Sequence, residues 1–226
     1  FKLIKEYSKI GEYHIANHKK SEDYLLSEDN ENMMFLCLAD GVSSCENSLQ
    51  GAKVISNKVK DIVAHIDLFH FDEEVIKKLV IDELQYSLRQ ISQNENIDFL
   101  SLSSTLLFVY YNKRKNKTLV FSLGDSLSLT VFNKEIEIVS YPVQNFQGIY
   151  TVTHHNIKEH THIHIFDGCF QNIYLFSDGA WKEMFEENKI KKSIKDILIR
   201  KDYQMLDDYF NHCHNYDDCS YIGGTF

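Results

Sequence analysis

Proline occurs once in 226 residues and glycine only nine times. The chain therefore carries no Pro/Gly/Ser-rich linker, and with no repeat or low-complexity tract either, nothing marks a domain boundary. At about 100 to 200 residues per domain, one domain over 1–226 is the expectation. The five cysteines are odd in number and none forms a Cys-x-x-Cys pair, which excludes the common zinc and redox motifs. Cys37 and Cys169 lie in or beside apolar runs, as buried reduced thiols do in a cytosolic protein. Basic charge is also short, at 24 Lys and Arg against 33 Asp and Glu for a net charge of −9. Such a surface lacks the footprint that nucleic-acid phosphates require. No apolar run approaches the roughly 20 residues needed to span a bilayer, and Phe1-Lys2-Leu3-Ile4-Lys5 lacks the long apolar stretch of a signal peptide. The reading is a soluble, cytoplasmic, monomeric protein with neither nucleic acid nor membrane as partner. The chain starts without Met, so residues upstream are expected to be missing.

What is present is a clear change of periodicity along the chain. Met33 to Ala39 is a continuous apolar run of strand length. Two helical stripes follow, Leu49, Ala52, Ile55, Val59, Ile62 and Ile66, then Ile76, Val80, Leu84, Leu88 and Ile91. Ser43 with Glu46 reads as a capping box for the first helix, and Asp72 as the N-cap of the second. Thr105 to Tyr111, Thr118 to Leu123, Leu127 to Phe132 and Ile136 to Val139 are rich in β-branched and aromatic residues and read as an antiparallel meander. His162 to Phe166 and Ile173 to Phe176 flank Asp167-Gly168, a hairpin signal. Helices are expected near Gly179 to Glu187 and Ile190 to Phe210, with a last strand around Tyr221. Helices segregated over antiparallel strands give an α+β layered domain, helices covering a β-sandwich.

The chemistry is expected where apolar strands stop at an aspartate followed by a tiny residue: Ala39-Asp40-Gly41, Gly124-Asp125-Ser126 and Ser177-Asp178-Gly179. An ionised carboxylate at a buried strand end faces a desolvation cost of several kcal/mol unless a cation pairs with it. Three such ends invite a shared cation, and glycine after Asp40 and Asp178 lets a backbone carbonyl approach a ligand. Glu22-Asp23 and Asp217-Asp218 are two further acidic spots that could join them. Carboxylates without an orderly Cys or His set favour hard ions such as Mg²⁺ or Mn²⁺. Two such ions can acidify a bridging water and neutralise a phosphoryl group. Taken singly, Asp-Gly after a strand is an ordinary turn.

The neighbours of these aspartates carry more. Ala39-Asp40-Gly41-Val42-Ser43-Ser44, with Ser48, Gly51 and Ala52 opening a helix, resembles the first metal motif of the type 2C metal-dependent protein serine/threonine phosphatases. Further elements resemble that family in order: Ser21-Glu22-Asp23, Ser103-Ser104-Thr105-Leu106, Gly124-Asp125-Ser126, Phe176-Ser177-Asp178-Gly179 and Asp217-Asp218-Cys219-Ser220. The resemblance implies a four-layer αββα sandwich, two antiparallel sheets flanked by helices, with two metal ions at one end. It implies that Asp40 bridges the ions, that the Gly41 carbonyl holds the second, and that Asp178 and Asp217 complete the first. Asp23 and Glu22 would orient bound waters, and Asp125 matches a position that holds a third, weaker ion. A bridging hydroxide would then attack phosphoserine or phosphothreonine of a phosphoprotein substrate in line. The family's phosphate-clamping arginine falls at His18, with Lys19 and Lys20 as neighbouring substitutes. Ser43-Ser44 replaces a glycine pair, and Leu127 stands where arginine is frequent. The alternative is a weakly active or inactive relative that binds a phosphoprotein or nucleotide as a regulatory module.

Other signals read blandly. His154, His155, His160, His162 and His164 crowd one stretch that could be imagined to bind zinc. Without companion cysteine or carboxylate at ligand spacing they read as an exposed loop and strand edge. His212-Cys213-His214 reads the same way. Trp181 and Phe185 are expected to share a packed helix face, and Lys189 to Lys195 to be solvated. Ser126 and Ser177 lack the His-Asp partners of a serine nucleophile.

Overall fold

The apolar run in the first third becomes a strand buried on both faces. The computed structural model describes residues 3–145 and 148–225, so Phe1 and Lys2 lie outside the described residues. In chain order the first elements are β1 (Leu3–Lys9), α1 (Glu12–Ala16), β2 (Asp23–Asp29), β3 (Met33–Asp40), α2 (Ser48–His65) and α3 (Glu73–Glu95). Then come β4 (Leu106–Asn112), β5 (Lys117–Leu123), β6 (Leu127–Phe132), β7 (Glu135–Ser140) and the short pair β8 (Gln144–Asn145) and β9 (Gly148–Ile149). The last part holds β10 (Thr161–Asp167), β11 (Asn172–Phe176), α4 (Asp178–Met184), the pair β12 (Phe185–Glu186) and β13 (Lys189–Ile190), α5 (Lys192–Arg200), α6 (Tyr203–His212) and β14 (Cys219–Thr225).

Two five-stranded sheets result, ordered β1-β14-β11-β6-β7 and β10-β5-β4-β3-β2, with antiparallel pairing throughout. Because side chains alternate along a strand, Phe35, Cys37 and Ala39 of β3 pack against α2 and α3. Leu36 and Leu38 point the other way, meeting Leu107, Val109, Val120, Ile173, Leu175 and Ile222 between the sheets. On the far side Tyr174, Phe176 and Tyr221 pack under Ile194, Ile197, Leu198, Leu206 and Phe210 of α5 and α6. The layers are thus helix, sheet, sheet, helix, the αββα sandwich expected. No helix among the described residues is long and apolar enough to cross a membrane.

Several local expectations are corrected. The strands from β4 to β7 are not one meander: β4 pairs with β5 and β6 with β7, and the chain passes from one sheet to the other at Gly124-Asp125. The hairpin at Asp167-Gly168 does not form, since β10 pairs with β5 while β11 pairs with β6 and β14. The helix expected over Gly179 to Glu187 stops at Met184, because Glu187 and Asn188 turn left-handed (φ 47° and 63°) and close the β12–β13 pair. The helix expected over Ile190 to Phe210 breaks at Lys201, which is left-handed (φ 56°), and restarts with the Asp202 carboxylate accepting from the Met205 N–H. The Ser43/Glu46 capping box is not used: α2 begins at Ser48, and the Ser43 hydroxyl instead faces Asp217 Oδ1 at 3.4 Å. Asp72 does cap α3, accepting from the Val75 N–H. Cys37 is buried, but Cys169 is exposed in the loop between β10 and β11.

Candidate active site

Strand ends bring the acidic residues to one end of the sandwich. Asp40 is the last residue of β3 and stands opposite Asp23, the first residue of β2. Asp125 lies in the turn from β5 to β6, Asp178 opens α4 directly after β11, and Asp217 immediately precedes the segment entering β14. Asp40, Gly41, Val42, Ser43, Ser44, Thr105, Asp125, Ile149, Asp178 and Asp217 line one cleft of about 300 Å³. Four of the aspartates singled out from sequence therefore meet there.

The backbone under them is pinned. Asp40 N–H donates to Thr105 Oγ1 at 3.1 Å, while its carbonyl accepts from Thr105 N–H at 2.8 Å and Ser104 Oγ at 3.0 Å. The Ser-Ser-Thr stretch read from sequence thus fixes the strand end that presents Asp40. Gly124 has φ 103°, a conformation costly for residues with a side chain, and a Cβ there would come within 2.5 Å of Thr105 Cγ2. Trp181 packs against the core as expected, but Phe185 lies just past α4 in β12 and meets the Trp181 ring edge-on; the Trp181 indole N–H also donates to the Asp125 carbonyl at 2.7 Å.

The electrostatics are those of an acid cluster out of water. Burial, then the charges of Asp23, Asp178, Asp125 and Asp217, push the Asp40 carboxyl well above the usual carboxylate range. Burial and then Asp218 and Asp178 push Asp23 up to about 8. Asp217 is also raised, by burial first and then by Asp178. Both Asp23 oxygens are buried without a hydrogen-bond partner, since Ser177 Oγ faces the Asp218 carbonyl and Ser220 Oγ the Ser8 hydroxyl. A buried carboxylate with both oxygens orphaned is costly unless a cation completes it. The donors that converge here are oxygens, which suits Mg²⁺ or Mn²⁺ rather than a softer ion.

Two lysines reach this end. Lys182 Nζ donates to Asp178 Oδ2 at 2.6 Å; burial opposes its charge, but Asp178, Asp125 and Asp217 outweigh that and raise its pKa. Lys19 Nζ donates to the Ser43 carbonyl at 2.9 Å and lies 3.4 Å from Glu22 Oε1. His18 does not join them: it follows α1 with φ 55°, exposed, and is not among the residues lining the cleft. Sequence reasoning passed over His14. It has no exposed surface, and with Asp217 and Asp218 it brings ligand-type atoms within 4.8 Å of one another. His162 and His164 share the exposed face of β10, and no metal-ligand grouping among the described residues includes them.

The family model for protein phosphatase 2C matches residues 10–212. The chain belongs to the protein phosphatase 2C family. The likeness in fold extends over its length. The serine/threonine phosphatase Stp1 from Staphylococcus aureus superposes with a TM-score of 0.70 at 15% identity, covering 100% of this chain and 95% of that one. PstP/Ppp of Mycobacterium tuberculosis gives 0.68 at 12% identity over 100% and 98%. RsbX, solved in complex with magnesium, gives 0.65 at 13% identity over 99% and 94%. No curated protein matches in sequence. At these identities the neighbours of this protein phosphatase 2C chain establish its fold, and its chemistry rests on its own residues.

Proposed function

We propose that the chain hydrolyses phosphoserine and phosphothreonine on proteins, dependent on Mn²⁺ or Mg²⁺. The observation that carries this reading is the convergence of Asp40, Asp125, Asp178 and Asp217 on one cleft, with Asp23 buried and unsatisfied beside it. Membership of the family and the magnesium complex of RsbX support the choice of ion. Asp40, the Gly41 carbonyl, Asp178 and Asp217 would hold two ions, Asp23 and Glu22 would orient their waters, and Asp125 would serve a third, weaker position. Bound there, such ions supply an acidified water and neutralise the phosphoryl charge. The chain's own part is to hold its carboxylates at fixed strand ends, an arrangement that needs no reorganisation during reaction.

The test is release of phosphate from a phosphothreonine peptide and from a small aryl phosphate, with and without Mn²⁺. Metal-dependent turnover above an Asp40→Asn control is expected. Absence of such turnover would favour the second reading, a module that binds phosphoprotein or nucleotide without hydrolysing it.

Asp125 is expected to behave differently from the other three. Asp125→Ala should lower turnover while calorimetry still finds the main ions bound, because Asp125 comes from the β5–β6 turn, a different strand junction from those that carry Asp40, Asp178 and Asp217. Loss of all metal binding in that variant would count against a separate third position.

Lys19 is the group proposed to meet the substrate phosphate. His18, the position matched to the family's arginine, is exposed outside the cleft, whereas Lys19 reaches the Ser43 carbonyl on the cleft wall. Lys19→Ala is expected to raise KM with kcat little changed, the mark of lost ground-state binding. His18→Ala should behave as wild type in both kcat and KM. The reverse pattern would return the role to His18.

A further inference from the structure

The two acidic pairs of the site, Glu22-Asp23 and Asp217-Asp218, come from opposite parts of the chain and meet on one side chain. His14 Nδ1 lies 2.9 Å from Asp218 Oδ1, and Nε2 lies 3.0 Å from Glu22 Oε2. The same Asp218 carboxylate accepts from Gly11 N–H at 2.8 Å and from Glu22 N–H at 2.6 Å. The turn that carries His14 is seated closely: Glu12 N–H donates to the Asn215 carbonyl and Tyr13 N–H to the Tyr216 carbonyl. At Gly11 the backbones approach so far that a Cβ would stand 2.4 Å from the Asp217 carbonyl carbon.

Both residues that His14 touches are chain neighbours of a metal-facing aspartate. Asp218 follows Asp217, and Glu22 precedes Asp23. With both ring nitrogens committed to carboxylates, His14 has none left to offer an ion. A flat ring with two opposed nitrogens holds two carboxylates at a fixed separation, which no flexible cation does.

Resting on the phosphatase reading, we infer that His14 is a positioning residue for the metal centre: through Asp218 and Glu22 it sets the spacing of Asp217 and Asp23. Groups that orient metal ligands in this way typically govern about ten- to a hundredfold in metal affinity.

The test is calorimetric titration of Mn²⁺ into the wild-type chain and into His14→Ala, His14→Asn and His14→Gln, with circular dichroism as the control for folding. An asparagine amide nitrogen can stand near the place of Nδ1 and keep the Asp218 contact, while a glutamine amide reaches nearer the place of Nε2 and keeps the Glu22 contact. His14→Ala is expected to bind Mn²⁺ about ten- to a hundredfold more weakly with secondary structure retained. His14→Asn should recover most of that loss and His14→Gln less, because Asp217 is assigned as a direct ligand and Asp23 is assigned to bound waters. Aryl phosphate KM at saturating Mn²⁺ should not change. Unchanged Mn²⁺ affinity in a folded His14→Ala chain overturns the inference, as does a His14→Asn chain no better than His14→Ala, which would make His14 itself a ligand. Should His14→Ala fail to fold, equal Mn²⁺ affinity in the Asn and Gln variants overturns it instead. A wild-type chain that binds Mn²⁺ and turns over, with variants that bind equally well, sinks this inference alone. A wild-type chain that binds no Mn²⁺ sinks the phosphatase reading with it.

Discussion

Replacing Asp40 by asparagine is expected to lower Mn²⁺-dependent phosphate release by on the order of a hundred- to a thousandfold, the scale of losing one preorganised electrostatic contact. Asparagine keeps the shape of the strand end, and the N–H and carbonyl contacts to Thr105 and Ser104 are backbone contacts that the change leaves alone. Asp178→Asn should do the same and in addition release Lys182, whose ammonium now sits 2.6 Å from Asp178 Oδ2. Stability should move the other way. The charges of Asp23, Asp178, Asp125 and Asp217 all oppose ionisation of Asp40, so removing one member relieves like-charge repulsion in the metal-free chain. Both variants should therefore melt at or above the wild-type temperature in chelator while binding Mn²⁺ more weakly by calorimetry. Unchanged Mn²⁺ affinity in both would remove Asp40 and Asp178 from the ligand set.

The second large effect is on the pH dependence of the metal-free chain. Asp23 is raised from 3.8 to about 8, and Asp40 and Asp217 are raised as well. A carboxyl whose folded pKa exceeds its unfolded one binds its proton more tightly when folded. Its stabilising contribution is complete below about pH 4 and is lost as pH rises through the folded value. At about 1.4 kcal/mol per unit, Asp23 alone gives a loss on the order of several kcal/mol between pH 4 and 8. For a chain of this length that lowers the melting temperature by roughly 10 °C. Scanning calorimetry in chelator from pH 5 to 8.5 should show that fall, and Mn²⁺ at the upper end should reverse it, since a bound cation favours the ionised carboxylates. A chelated chain whose melting temperature is flat or rises across this window would mean that the acid cluster ionises freely in the folded state.

The legible parts of the fold were those whose burial is uniform or strictly periodic. β3 is apolar at successive positions because both of its faces are covered, and α2 and α3 carry clean stripes because one face of each lies on a sheet. β1 and β2 were not read as strands, since they lie at sheet edges and are mostly half-buried, so their residues follow no sharp alternation. Which strand pairs with which was hidden where the chain changes sheet. Asp167-Gly168 has the composition of a tight turn, yet β10 and β11 belong to different sheets, and local turn chemistry does not report that. Within the site, Asp40, Asp125 and Asp178 announced themselves by ending apolar strands, whereas Asp23 and Asp217, which stand at the start of β2 and just before β14, showed only as acidic spots. His14 gave no such signal: it is one histidine between Tyr13 and Ile15 on a five-residue helix, and its partner Asp218 is 204 residues away. Trp181 was read for its packing, and its hydrogen bond to Asp125 depends on a turn 56 residues upstream.

The Gly11 to Glu22 segment and the strand end at Asp217-Asp218 are joined by hydrogen bonds spanning 196 to 207 residues. Contacts of such separation close late, because most of the chain must be in place before they can form. During synthesis the sheet of β2 to β5 can pair and pack on α2 and α3 while Asp217 is still unmade. Through that interval Asp23 and Asp40 already face one another, but the pocket lacks its last wall and the contacts of Asp218. A growing chain therefore carries an incomplete acid cluster until β14 emerges and docks between β1 and β11. Assembly of the acid cluster is tied to completion of the fold.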